Sequence, residues 1–479
     1  MMDKNQPGFM KYFSRTTASV LLACHWLCSP DVFAAGGHEQ ITGPFIDAQA
    51  VTLQCLGCHA QQGEDILRSS HWTWQRHRII NNTEQVYSKK DGLTTFAITA
   101  STNPEQCMNC HISINRQPLH VAPGSPVHVD CLVCHDTTGT YRRDNGSPAV
   151  GLDLPHIARH VGRPSPANCS SCHSGRCGLP GSNSHGNLEP DVHFTASGGS
   201  LTCQDCHSSA GSHAFSRQLT SGVNSQRTTA CATCHGYTCH RQPQLNRHAE
   251  VIDCRTCHIP TYAAVNPSVV NWNWLSKEMG DLSRHSNGAM EAVLDTSGLI
   301  VATDLVPQYL WDDGGETLYQ RGDKIDPGRP VLLLGPTKRT LHAKIAPFTI
   351  SYGTQPYDTK YRYLISPKLT DKKGEYFMDN WEDAARTGMQ GLRLPFSGDY
   401  AFTTTITYQP ITHGVRPAAE ALDCMACHGA ASRMNWKRLG YEADPWATSE
   451  PPPPASRNTE ERQPANIEET VLPEGFSGG

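Results

Sequence analysis

The sequence predicts a mainly α-helical chain with much irregular loop, and three observations carry that reading. One five-residue unit, Cys-x-x-Cys-His, recurs eight times along the 479 residues. Only 38% of the residues are hydrophobic. Gly (40) and Pro (33) are abundant, which leaves poor material for a large regular side-chain core.

The unit stands at Cys55, Cys58 and His59; Cys107, Cys110 and His111; Cys131, Cys134 and His135; and Cys169, Cys172 and His173. It returns at Cys203, Cys206 and His207; Cys231, Cys234 and His235; Cys254, Cys257 and His258; and, after a long gap, Cys424, Cys427 and His428. At this Cys and His content fewer than one copy is expected by chance. Two thiols at this spacing add to the vinyl groups of a porphyrin, and the adjacent His is aimed at its iron. The sequence therefore implies eight covalently attached haem c groups. The expected architecture is a multihaem cytochrome c fold packed around eight haems, each an apolar plate for the chain to wrap. Ligation energy then becomes folding energy, so the haem-free chain is expected to be largely unfolded.

Taken in order, residues 1–35 read as a signal peptide. Lys4, Lys11 and Arg15 precede an apolar run from Thr16 to Cys28, and Ala34 and Ala35 offer a cleavage point. This predicts a periplasmic or extracellular location. The seven-haem region covers 36–261 as short helices and loops, with a helix expected from Glu64 to Arg78. Its motif spacings are irregular, unlike a solenoid repeat. Residues 262–412 lack the motif and read as a haem-free insertion or cover. Strands are expected at Val331–Leu334, Phe348–Tyr352 and Tyr361–Ile365, and a helix at Asn380–Met389. The eighth haem region spans 413–445, and 446–479 is a Pro-rich tail with the composition of disorder.

A net charge of −5 and a pI near 6.5 give no reason to expect a nucleic-acid partner. Beyond the motifs and the leader, Cys177 and Cys239 remain. They read either as a disulfide with each other or as two buried thiols, and alternatively as sulfur placed near a substrate.

Each iron has a second axial position. A second His makes a low-spin electron carrier, whereas an open position can bind substrate. The candidates for second ligands are His71, His128, His156, His160, His185, His193, His213, His240, His248 and His413, all lying among the motifs. His38, His285 and His342 lie far from any motif in sequence and are expected to be bystanders.

Several runs resemble the octahaem tetrathionate reductases, distant relatives of hydroxylamine oxidoreductase. They are SHWTW at Ser70–Trp74, VDCLVCHDTTGTY at Val129–Tyr141 and DVHF at Asp191–Phe194. LNRH at Leu245–His248 and HGVRPAAEALDCMACHG at His413–Gly429 complete the set. The resemblance implies a periplasmic respiratory cytochrome feeding electrons to one catalytic haem on the second motif. In that family a Lys holds this haem, with an Asp three residues before it and a reactive Cys nearby. The matching positions here are Ser184, Gly181 and Ala97.

Two functions follow as expectations. One is electron transfer in anaerobic respiration, between membrane or periplasmic electron donors and acceptors, with self-association into a homo-oligomer compatible. The alternative is a reductase of tetrathionate or another small sulfur or nitrogen compound, such as an oxyanion. Its candidate substrate haem is at Cys107, Cys110 and His111, with Ser184 and Cys177 nearby and Arg142 and Arg143 to draw in an anion. Whether the chain is an enzyme is left open by the residues.

Overall fold

The structure is a computed structural model, and every residue outside 37–448 lies beyond its description. Within that span it omits 81–82, 89–91, 94–97, 109, 115–124, 145, 174–189, 208–212, 214–230, 266, 275–298, 337–338 and 370–380. The leader, Ala97, Cys177, Gly181, Ser184, His185 and the tail from 449 onward therefore lie outside the described residues.

The first half is short helices strung on loops. Helix α1 (Ala48–Leu67) starts where the Asp47 carboxylate accepts a hydrogen bond from the Ala50 amide at 2.8 Å, and it carries the whole first motif. It ends before the helix expected at Glu64–Arg78 is complete. After α2 (Ser70–Thr73) the chain turns at Trp74, held at φ +53°, into the hairpin of β1 (Gln75–Ile80) and β2 (Thr83–Ser88). A left-handed residue cannot continue a helix, which is the physical reason for the difference.

The other motifs also sit on single turns or short helices. These are α3 (Leu132–His135), α5 (Pro166–His173), α6 (Cys203–Cys206), α7 (Cys231–His235) and α9 (Cys254–His258), with α4 (Leu154–Arg159) and α8 (Pro243–Val251) between them. The two-residue strands β3 (Arg143–Asp144) and β4 (Ser147–Pro148) form a small ribbon near the second and third motifs.

The stretch expected as a small cover is a seven-stranded sheet. Its strands are β5 (Ser268–Asn273), β6 (Leu299–Ala302), β7 (Gln308–Asp312), β8 (Glu316–Leu318), β9 (Val331–Pro336), β10 (Lys344–Asp358) and β11 (Tyr400–Pro410). The order is β6-β5-β10-β11-β9-β8, with β7 pairing the start of β10. The long β10 pairs β11 antiparallel from Phe348 to Asp358 and β5 in parallel, so it is the central strand. Strand β9 alternates buried and half-buried residues, the period-2 signature of a sheet with a core face. Tyr361–Ile365 is not a strand. The Asp358 carboxylate accepts from the amides of Lys360 and Tyr361, which turns the chain, and only Leu364 bridges back to Tyr357. Helix α10 (Trp381–Gly391) occupies the place expected for a helix. The eighth motif follows on α11 (Cys424–Cys427).

Sheet and helices join at the seventh motif. Ile345 of β10 accepts from the Asp253 amide at 2.9 Å and from the Thr256 hydroxyl at 2.8 Å. Arg255, inside the motif itself, is buried between Asp253 (Nε to Oδ1, 2.8 Å) and Asp312 of β7 (Nη2 to Oδ2, 3.4 Å). No helix among the described residues is long and apolar enough to cross a membrane.

Candidate functional site

Seven of the eight motif imidazoles face a second imidazole drawn from elsewhere in the chain. The pairs are His38 with His59, His71 with His173, His135 with His213 and His193 with His235. His207 pairs with His413, His240 with His258, and His248 with His428. Their ring centres are 6.1–6.3 Å apart. That is too far for a hydrogen bond between the two rings. Two metal–imidazole bonds of about 2.0–2.1 Å, plus roughly 1.1 Å from each nitrogen to its ring centre, put imidazoles sharing an iron about 6.2–6.4 Å apart. The spacing therefore fits one haem iron at each of these seven places, with the motif thiols alongside.

The outer nitrogens support the same reading. A ligand must offer an unprotonated Nε2, which requires its proton on Nδ1 and an acceptor to hold it there. His135 Nδ1 donates to the Gly162 carbonyl at 2.8 Å, and His240 Nδ1 faces the Asn246 side-chain oxygen at 3.3 Å. Carboxylates take this role for His193 (Asp191, 2.8 Å) and His428 (Asp444, 2.6 Å). Burial lowers the pKa of His71, His135, His213, His248 and His258, and that of His413 to about 4, which keeps them neutral as ligation needs.

Contacts between thiols set the motifs in a line. The first Cys of one motif lies beside the first Cys of another in the pairs Cys55–Cys131, Cys169–Cys203 and Cys231–Cys254. Second cysteines lie within electrostatic reach as Cys134–Cys172, Cys206–Cys234 and Cys257–Cys427. Alternating the two kinds of contact connects the first, third, fourth, fifth, sixth, seventh and eighth motifs without a gap.

The second motif is built differently. The His111 ring is 1% exposed and packed against Trp74 (4.5 Å between ring centres) and Trp72 (5.6 Å). The Ser113 amide approaches its Nδ1 at 3.2 Å, and its Nε2 lies 3.0 Å from the Trp72 carbonyl. An amide only donates and a carbonyl only accepts, so the proton sits on Nε2, the reverse of His135 and His428. Cys110 is disulfide-bonded, unlike the other fifteen motif cysteines. In this arrangement the chain itself engages Nε2. Loading haem here requires the His111–Trp72 bond to open. Trp72 follows His71 directly and packs with Ile112 and Val129, so the second motif flanks the line near its third and fourth members.

Of the candidate second ligands, His71, His193, His213, His240, His248 and His413 stand across from motif imidazoles. His156 and His160 instead lie against each other at 4.2 Å, both exposed. The His128 carbonyl accepts from the Ile114 amide in the loop after the second motif. His38, expected to be a bystander, faces His59: the chain before α1 returns towards the middle of the helix, so distance in sequence misled. Cys239 is a free, exposed thiol, which corrects both the disulfide and the buried-thiol readings. Arg143 is not an anion trap. It is buried, ion-paired with Asp130 (Nε to Oδ2, 3.3 Å), and donates to the carbonyls of His111 (2.6 Å), Ser113 (2.5 Å) and Gly146 (2.9 Å). Arg142 remains exposed.

Comparison with known proteins agrees with this geometry. Residues 270–431 match the bacterial cytochrome c family, a span that begins in β5 and ends beyond the eighth motif, so the sheet belongs to what that family shares. The crystal structure of the octahaem cytochrome c from Shewanella oneidensis superposes with a TM-score of 0.75 at 31% identity, covering 87% of this chain and 99% of that one. No curated protein matches the chain.

Proposed function

The chain belongs to the multihaem c-type cytochromes, in the family of that octahaem protein, and from this premise we propose that it is an exported octahaem electron carrier. It binds haem c covalently. Its work is electron transfer between membrane or periplasmic donors and acceptors, along a relay running from the first motif through the third to the eighth. The observation that carries this reading is the set of seven imidazole pairs at 6.1–6.3 Å, because an iron held by two imidazoles has no position left for substrate and serves as a carrier. The ladder of thiol contacts supports the order. The chain is of the octahaem tetrathionate reductase type, with Ser184, Gly181 and Ala97 where that type has Lys, Asp and Cys.

A second reading, reduction of tetrathionate or another small sulfur or nitrogen compound, attaches to the second motif. The different surroundings of His111 favour it. Electron paramagnetic resonance and optical spectra of the oxidised protein, with and without cyanide, test both. Low-spin signals from every haem and no response to cyanide are expected of the relay and end the reductase reading. One high-spin, cyanide-responsive haem that disappears on replacing His111 transfers the chemistry to the second motif.

A further inference from the structure

One carboxylate serves two of the imidazole pairs. Asp191 is 5% exposed and lies just before the 3-10 turn Val192–Phe194. Its Oδ1 accepts from the His193 amide at 3.0 Å and from His193 Nδ1 at 2.8 Å. Its Oδ2 accepts from the amides of Gly414 and Val415, each at 3.0 Å, and the Val192 amide donates to the Val415 carbonyl at 2.8 Å. Those two amides follow His413 directly. His193 faces His235 of the sixth motif and His413 faces His207 of the fifth, and Cys206 and Cys234 place these motifs side by side.

We propose that Asp191 is a positioning residue shared by two adjacent haems: it orients the second imidazoles of the fifth and sixth motifs together, and its charge lowers the reduction potential of the sixth. A carboxylate accepting the Nδ1 proton pushes negative charge onto the imidazole, and a more basic ligand favours ferric over ferrous iron. His413 Nδ1 lies 3.2 Å from the Thr412 hydroxyl, and the Asp191 charge also reaches its ring, though through space and not through a bonded Nδ1 proton as at His193, so the fifth haem gains the geometry with a weaker share of the charge. The other carboxylate in this role, Asp444 at His428, has a side chain 20% exposed, where water weakens its field.

The inference rests on the paired-ligand reading, and the test separates the two. Asp191→Asn keeps an oxygen able to accept from Gly414 and Val415, removes the charge, and sets an NH2 group that cannot accept against His193 Nδ1. Spectroelectrochemical titration of the intact holoprotein is expected to show one potential raised most, a smaller rise at its neighbour and the rest in place, with all seven paired haems still low-spin. Asp191→Ala removes both anchors and is expected to raise the number of haems that bind cyanide by two. Unmoved potentials in the Asn variant, or unchanged cyanide stoichiometry in the Ala variant, overturn the proposal. Where neither variant accumulates, the low-spin resonance of the wild type decides, since a spectrum with no haem carrying a strongly basic imidazole overturns it equally. A wild type that already binds cyanide at several haems defeats the paired-ligand reading itself, whatever Asp191 does.

Discussion

The seven paired motifs and the second motif share one sequence pattern and end in opposite chemistry. At His135 the outer nitrogen gives its proton to the Gly162 carbonyl and leaves Nε2 open toward His213, 6.2 Å away. At His111 a backbone amide occupies the outer nitrogen and Nε2 is spent on the Trp72 carbonyl. Five residues suffice to place thiols and an imidazole on one turn. Which nitrogen is free for iron depends on what the neighbouring chain presents, and at the second motif that neighbour is the left-handed turn at Trp74.

The largest effect expected from breaking this contrast is at the paired sites. His248→Gly removes the imidazole facing His428, so the eighth haem is expected to turn from low-spin to cyanide-binding. A cyanide titration should rise by one equivalent per molecule, and an unchanged endpoint would mean His248 is no ligand.

Next comes the joint between relay and sheet. Arg255→Met leaves Asp253 and Asp312 buried without their cation and should cost about 3–5 kcal/mol in denaturant unfolding. In the wild type, burial works to raise Asp253, but Arg255 overrides it and holds the carboxyl below its usual range. A depressed carboxyl stabilises the fold above its unfolded pKa of about 4, and that contribution fades as pH falls through the folded value. In the variant burial and mutual repulsion raise the two carboxyls, against the lesser pull of Lys344 on Asp253, so protonation favours the folded state and stability recovers on acidification. The deficit should therefore narrow from pH 7 towards pH 5; a constant deficit would show that lost packing, not charge, is responsible.

The smallest effect belongs to the second motif. Ser113→Ala removes the hydroxyl 2.8 Å from His111 Nδ1 while the Ser113 amide still holds that nitrogen. A loss of about 1 kcal/mol is expected, with the low-spin signals of the paired haems unmoved. A shift in those signals would show that the second motif is coupled into the line rather than standing beside it.

By itself, the sequence marked the motifs expected to attach haem and the prevalence of short helices around them, because that pattern is local: a thiol, two residues, a thiol and an imidazole are complete within one turn. It also marked the helix at Trp381–Gly391 and the strand runs within β9 and β10, whose periodicity is written over a few residues. The tertiary structure alone decided the partners. His207 and His413 are separated in sequence by the whole sheet, His38 reaches His59 only because the chain before α1 returns towards the helix, and Asp191 finds Gly414 across more than two hundred residues. The seven-stranded sheet was hidden for the same reason: β10 lies between β5 and β11, and such an order rests on contacts distant in sequence that no local pattern encodes. An axial ligand is selected by where a nitrogen arrives in space and by which way its other nitrogen is held, and both are properties of the packed chain.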